Sequence, residues 1–281
     1  MNQHAPELPA DLASTVRRAL SEDVGTGDLS AALLPASQTS TAAVLCREDA
    51  VLCGVPWFDE VFHQLDPEVT STWRFRDGAE IAAGTTVCSL RGPTRSLLTG
   101  ERTALNFLQL LSGTATTTRE HVRLLAGLPA TLLDTRKTIP GLRTAQKYAV
   151  LCGGGTNHRM GLYDAILLKE NHIHAAGGVA VAVRRALALR RQVQVEVEDL
   201  DQLDEAIAAG ARHILLDNFT VPRLREAVAR AHGRAALEAS GGIDRNNLRE
   251  VAATGVDYIS LGALTKHVHA VDFSMRFGNP G

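Results

Sequence analysis

Six lysine or arginine residues crowd into the 34 residues between Arg136 and Lys169: Arg136, Lys137, Arg143, Lys147, Arg159 and Lys169. One acid, Asp164, interrupts them, and His158, His172 and the run Gly153-Gly154-Gly155 complete the stretch. The whole chain carries 29 basic and 31 acidic residues, so this excess is local. Concentrated positive charge beside permissive glycines suits a ligand with several negative charges, a phosphate or a carboxylate first of all. A solvated basic face is the commoner use of such a stretch. The sharper reading therefore depends on what other segments bring to the same place.

The elements that must position these residues follow a βα rhythm. Short apolar runs at 131–134, 165–169, 193–197, 213–217, 236–239 and 257–261 alternate with amphipathic stretches such as VAVRRALALRRQ and VPRLREAVARA. This pattern predicts a parallel sheet of at least six strands with helices between them. No GxGxxG follows the first strand, so an α/β barrel, incomplete if only six or seven strands form it, is favoured over an open doubly wound sheet.

What ends each strand matters most. The first runs into Asp134, Thr135, Arg136 and Lys137, and the second ends at Lys169. Glu196 and Glu198, two apart on the third and so on one face, leave open which of them serves the site. The fourth ends at Asp217, the fifth at Ser240-Gly241-Gly242 and the sixth at Ser260-Leu261-Gly262. Barrel strands deliver their C-terminal ends to one mouth, where the chemistry sits. Lys169 and Asp217 close buried-looking strands, where charge is costly unless paired or used.

The two glycine turns let backbone N–H groups approach an anion, with Asp244 as a cap for the helix after the first turn. The mouth then divides into a phosphate corner, an acidic pair (Glu196, Asp217) and a cationic quarter (Arg136, Lys137, His158, Arg159, Lys169). Acids can hold ribose hydroxyls or a Mg²⁺ ion. Arg136 and Arg159 are suited to bidentate carboxylate contacts, and Lys137 and Lys169 act as point charges. Gly153 to Gly155 are read as loop geometry that aims His158 and Arg159. No Ser-His-Asp order or Cys-His pair points to a covalent nucleophile. His158 and His172 lack a third ligand for zinc.

The first half carries no catalytic signature. Residues 11–21 have helical spacing, ended by Gly25 and Gly27, and Asp28 is placed to cap a turn. TAAVLCRED and AVLCGVPWF are compatible with strands. Trp57 to Leu65 reads as a short helix, and 70–93 as strands turning at Asp77-Gly78 and Gly84. Ser96 to Leu128 is helical, with Ser112-Gly113 as a break, and spacing alone makes Arg102 a surface residue. The chain has 281 residues, 45% hydrophobic and 21% charged, with a net charge of −2. That argues against broad nucleic-acid binding. No apolar run reaches membrane length and no leader is evident in the first nine residues, so a cytoplasmic location is expected. Cys46, Cys53, Cys88 and Cys152 lack CxxC spacing and are expected to be reduced thiols.

At this level of detail the chain resembles the nicotinate-nucleotide pyrophosphorylase (carboxylating), or quinolinate phosphoribosyltransferase, family. The matching segments are EDVGTGDLS, GERTALNFLQLLSG, RKTIPGLR, KYAVLCGGGTNHRMGLYDAILLKENHI, VEVE, ILLDNF and LEASGGI, in the family's order over nearly the whole chain. The resemblance implies an N-terminal α/β sandwich (residues 1–112) and a C-terminal incomplete α/β barrel (113–281) whose tail returns to the first domain. It implies transfer of phosphoribosyl from 5-phosphoribosyl 1-diphosphate to quinolinate with loss of CO₂, in NAD biosynthesis. Mg²⁺ and a homodimer or dimer-based oligomer come with it.

By motif, Arg102 matches the arginine supplied to the neighbouring subunit's site, which reverses the surface reading. Thr135, Arg136, Lys137, His158, Arg159 and Lys169 match substrate contacts, with Lys137 and Lys169 among the catalytic set. Glu196 and Asp217, in the same catalytic set, match the acids at ribose and metal. Ser240, Gly241, Gly242, Ser260, Leu261 and Gly262 match the phosphate turns. Thr114 departs from the family's usual apolar residue and is expected to affect packing only. The alternative within the fold is the paralogue linked to molybdate transport, against which the lysine of LLKENHI speaks.

Overall fold

The computed structural model describes residues 6–278, so the leader reading and the outer ends of both domain ranges fall partly outside the described residues. The chain opens with α1 (Leu12–Val24), β1 (Thr39–Cys46), β2 (Ala50–Val51) and α2 (Val55–Leu65). β3 (Thr70–Trp73), β4 (Glu80–Ile81) and β5 (Thr86–Pro93) precede the long α3 (Thr94–Leu124). β6 (Thr131–Leu133), α4 (Arg143–Gly153) and β7 (Ile166–Leu168) follow. Then come α5 (Glu170–Ala176), α6 (Val179–Ala188), β8 (Val193–Val197), α7 (Leu200–Ala208), β9 (His213–Asp217) and α8 (Val221–Ala231). The chain ends through β10 (Ala236–Ser240), α9 (Leu248–Ala252), β11 (Tyr258–Ser260), α10 (Ala263–Lys266) and β12 (Phe273–Phe277).

Two compact units result. The first takes the chain up to Arg119, Ile139–Gly154 and the stretch from His267; the second takes Glu120–Thr138 and Gly155–Lys266. An antiparallel sheet in the order β12-β1-β5-β3 frames the first unit. β1 alternates, burying Ala42, Val44 and Cys46. Trp57 and Phe58 of α2 and Leu97, Leu105, Leu108 and Leu111 of α3 complete that core. Tyr148 of α4 meets Trp57 edge-on at 5.1 Å, and its hydroxyl donates to Asp77 Oδ2 at 2.9 Å. Asp77 Oδ1 accepts the Val55 N–H at the start of α2. All four cysteines are buried free thiols.

Three expectations change here. The run AVLCGVPWF is a strand only at Ala50–Val51, because α2 begins at Val55 with a proline in its first turn. α3 passes unbroken through Ser112-Gly113. That pair serves packing: Ser112 Oγ accepts from Cys53 N at 2.9 Å and donates to Cys53 O, and a Cβ on Gly113 would run into the His269 carbonyl. The glycine run is likewise a helix terminus. Gly153 packs α4 on α3, since its Cβ would sit 2.6 Å from Ala115 O, and Gly154 ends the helix at φ +92°.

The second unit is a six-stranded parallel sheet in the order β6-β11-β10-β9-β8-β7. Alternation sends Val195 and Val197 of β8, Ile214 and Leu216 of β9, and Leu237 and Ala239 of β10 into a core shared with Leu203, Leu224, Ala227, Leu248 and Val251 of the helices. Asp199 caps α7 by accepting the Gln202 N–H at 2.8 Å. The opposite face carries Gln194 and Glu196, then His213, Leu215 and Asp217, then Ala236, Glu238 and Ser240. β6 and β7, the two ends of the strand order, do not pair among the described residues. This is the incomplete α/β barrel that the βα rhythm predicts. Along that seam Thr156 makes a parallel bridge to Leu133, with its N–H on Leu132 O at 2.9 Å.

Candidate active site at the strand ends of the barrel

The turn after β6 is tied down before it presents any charge. Asp134 is fully buried, and its Oδ1 accepts the His158 N–H at 2.9 Å, binding the β6 end to the seam segment. Thr135 Oγ1 accepts the Lys137 N–H at 3.0 Å, and Thr265 Oγ1 donates to Lys137 O at 2.8 Å. The exposed Lys137 side chain lies over Gly262, where a Cβ would come within 2.7 Å of Lys137 Cδ. The TRK run and the last glycine turn are thus neighbours.

Arg159 feels the charge of Arg136. Burial first, then the charge of Arg136, push the Arg159 guanidinium down, with Asp164 acting the other way. Arg159 Nη1 donates to Ala165 O at 3.1 Å, just ahead of β7. Asp164 accepts the Met160 and Gly161 N–H groups, so it shapes the loop. Lys169, at the end of β7, pairs with Glu196 Oε2 at 2.9 Å. Its own N–H is taken by His172 Nδ1 at 3.1 Å, which makes His172 a cap of α5. Glu198 lies past the end of β8 and is exposed, whereas Glu196 faces inward with its side chain 11% exposed. Asp217 accepts from Asn218 Nδ2 at 2.8 Å.

The fifth strand ends in a sharp turn. Gly241 has φ +86°, and a Cβ there would strike the Asn218 amide. Asn218 itself is left-handed at φ 57° and sends its N–H to Ser240 O. The helix expected at Asp244 begins later and is short: Asp244 Oδ1 accepts the Asn246 and Asn247 N–H groups, and α9 starts at Leu248. Any anion at this turn is therefore met by turn amides and not by a long helix dipole. Leu261 turns its side chain into the core and spends its N–H on Leu133 O at 3.0 Å, so Gly262 is the open part of the second turn.

Other residues fall elsewhere. Arg143 and the fully buried Lys147 are on α4, in the first unit, so the basic stretch divides between the two units. Arg102 is exposed on α3, also in the first unit. His158 faces inward. Its Nε2 lies 2.9 Å from Gln194 Oε1, and its Nδ1 accepts the Arg159 N–H at 2.7 Å. Glu238 and Gln194 went unnoticed in the sequence. The signal was there, since a glutamate in the middle of an apolar run (ALEAS) and a glutamine in VQVEV both sit at inward parity.

Glu196 and Asp217 fit a magnesium ion in chemistry. They are carboxylates on adjacent strands and the same face, and Mg²⁺ takes one or two carboxylates alongside water and phosphate oxygens. Each already has one cationic or amide partner, Lys169 or Asn218, leaving its second oxygen for such a role.

Comparison with known proteins finds relatives along nearly the whole chain. The family models for the N-terminal and C-terminal domains of quinolinate phosphoribosyl transferase match residues 28–112 and 114–276. A probable nicotinate-nucleotide pyrophosphorylase [carboxylating] of Bacillus subtilis is 43% identical over 90% of this chain and 89% of its own length. A quinolinate phosphoribosyltransferase [decarboxylating] of Nicotiana tabacum is 38% identical over 95% of this chain and 82% of its own. The solved nicotinate-nucleotide pyrophosphorylase of Francisella tularensis superimposes with a TM-score of 0.93 at 47% identity, covering 99% of this chain and 100% of that one. With both domains matched and relatives of this similarity along nearly its full length, the chain belongs to the quinolinate phosphoribosyl transferase family.

Proposed function

We propose that this protein transfers the phosphoribosyl group of 5-phosphoribosyl 1-diphosphate to quinolinate and releases diphosphate and CO₂, forming nicotinate mononucleotide for NAD synthesis. The observation that carries the reading is the set of cationic groups at the strand ends of the parallel sheet, with Lys137 over the Gly262 turn and Lys169 paired to the inward-facing Glu196. Guanidinium and ammonium groups gathered at one mouth suit a polyanionic substrate pair, and quinolinate is a dicarboxylate. Family membership supports the same reaction.

In this scheme Arg136 and Arg159 bind the carboxylates, with Arg102 of a partner subunit reaching the same substrate. Lys137 and Lys169 neutralise the departing diphosphate, while Ser240–Gly242 and Gly262 with Ser260 hold the 5-phosphate. Leu261 contributes through the course of its backbone. Glu196 and Asp217 orient the ribose hydroxyls and would hold Mg²⁺, which supplies further charge neutralisation at the diphosphate. The pyridine nitrogen forms its bond to the anomeric carbon as the bond to diphosphate breaks. The bond to the 2-carboxylate then breaks, CO₂ departs, and the electron pair left on the ring, stabilised by the quaternised nitrogen, takes a proton. The protein contributes positioning and fixed charge, with no covalent intermediate.

A homodimer, in which each subunit's Arg102 completes its neighbour's site, follows from this scheme. No helix among the described residues is long and apolar enough to cross a membrane. The deciding experiment supplies quinolinate, 5-phosphoribosyl 1-diphosphate and Mg²⁺, with nicotinate as the control acid. Release of CO₂ and mononucleotide from quinolinate alone is expected. Turnover of nicotinate with quinolinate inert would overturn the reading.

A further inference from the structure

Glu238 is the odd residue of the barrel interior. It lies in the middle of β10, 3% exposed, where an apolar side chain would cost nothing to bury. Its Oε2 accepts from Gln194 Nε2 at 2.7 Å and lies 3.5 Å from His158 Nε2. Its other oxygen makes no hydrogen bond of good geometry. Burial pushes the Glu238 carboxyl up, but hydrogen bonds from His158 first, then the Ser260 hydroxyl and Gln194, outweigh it and hold the group below its usual range. The three side chains line a cavity of about 460 Å³ with Ile166, His213 and Tyr258, the first or near-first residues of their strands. Arg159 also lines that cavity, whereas Lys137, Lys169, Glu196 and Asp217 do not.

The hydrogen bonds fix the state of the imidazole. A backbone N–H can only donate, so His158 Nδ1, which receives the Arg159 N–H, carries no proton. The ring proton is then on Nε2, facing Gln194 Oε1, whose amide group is in turn oriented by Glu238. Both ring nitrogens are engaged within the barrel, so the ring is set to hold protein, not to read a substrate carboxylate.

We propose that Glu238 and Gln194 are positioning residues that lock His158 as the neutral Nε2–H tautomer, so that its Nδ1 holds the Arg159 amide and fixes the Arg159 guanidinium. This rests on the reading that Arg159 binds a carboxylate of the acid substrate. It departs from the motif-based role of His158 as a direct substrate contact. The logic is that of an outer residue orienting an inner one, where loss of the outer partner misplaces the inner group without removing it.

The test combines kinetics with imidazole ¹⁵N spectra on the full-length protein. Glu238→Ala should raise KM for quinolinate about tenfold while KM for 5-phosphoribosyl 1-diphosphate stays within about twofold. Glu238→Gln, which can still accept from Gln194, should recover most of that loss. In the spectrum, the His158 signals, assigned by their absence in His158→Asn, should show an unprotonated Nδ1 in the wild type and mixed tautomers in Glu238→Ala. If Glu238→Ala does not fold, Gln194→Leu and the wild-type spectrum decide by the same criteria. An unchanged quinolinate KM, an equal rise for both substrates, or a proton on Nδ1 in the wild type would overturn the proposal. Wild-type protein that turns over no quinolinate would instead overturn the reaction, and the tautomer measurement would still decide the lock.

Discussion

At the residue scale, the site is a set of charges each fixed by a neighbour. Lys137 is held by Thr135 and Thr265 through its backbone, and Arg159 by His158 and Ala165. Removing either side chain takes charge away without opening the core. Lys137→Ala and Arg159→Ala should each lower kcat/KM by orders of magnitude, about 2–4 kcal/mol of transition-state stabilisation, with thermal unfolding unchanged. Steady-state rates beside a melting curve check this, and near-normal turnover in both would remove the proposed roles. Glu238 adds a pH dependence. Its carboxyl is held below the usual 4.5 in the folded protein. A depressed carboxyl adds stability above its unfolded value and loses it as pH falls through the folded one. Urea unfolding from pH 6 to pH 3 should therefore show a shallower acid limb for Glu238→Gln than for the wild type. Parallel limbs would mean that Glu238 titrates alike folded and unfolded.

At the element scale, the barrel strands were legible because parallel strands buried on one face by helices carry apolar runs of four or five residues. VQVEV and HILLD match β8 and β9 residue for residue. The strand-end residues followed from parity and the polarity of the turns. The failures have one origin, since long-range contacts leave no local trace. Ser112-Gly113 reads as a break, yet α3 continues because serine meets the Cys53 backbone and glycine admits the carbonyl of His269, 156 positions away. The inward roles of His158, Gln194 and Glu238 depend on three segments meeting, which spacing does not encode. Gly113→Ala tests the packing account. Its methyl group has no room unless the His269 segment moves, so a loss of about 2 kcal/mol in chemical denaturation is expected, while Gly127→Ala, where the added Cβ meets nothing within 4 Å, should cost only what its positive φ imposes.

At the scale of the whole molecule, Arg102 belongs to the first compact unit and the strand-end charges to the second. If Arg102 serves a neighbour, mixing Arg102→Ala with Lys137→Ala protein should restore part of the activity, because one shared site then carries neither lesion. Mixed dimers that form yet stay inactive would rule out the shared arrangement. The order of the chain adds a different consequence. β12 is the last strand made, yet it covers one side of β1, among the first, in the sheet order β12-β1-β5-β3. During synthesis β1 waits as an open edge while about two hundred residues are added, at roughly 5–20 residues per second. The parallel sheet, complete at β11 and Lys266, has all its strands before the first sheet does. The nascent chain thus carries a sticky strand edge for on the order of ten seconds or more, and a ribosome stalled short of Phe273 would leave a product prone to aggregation through its oldest residues.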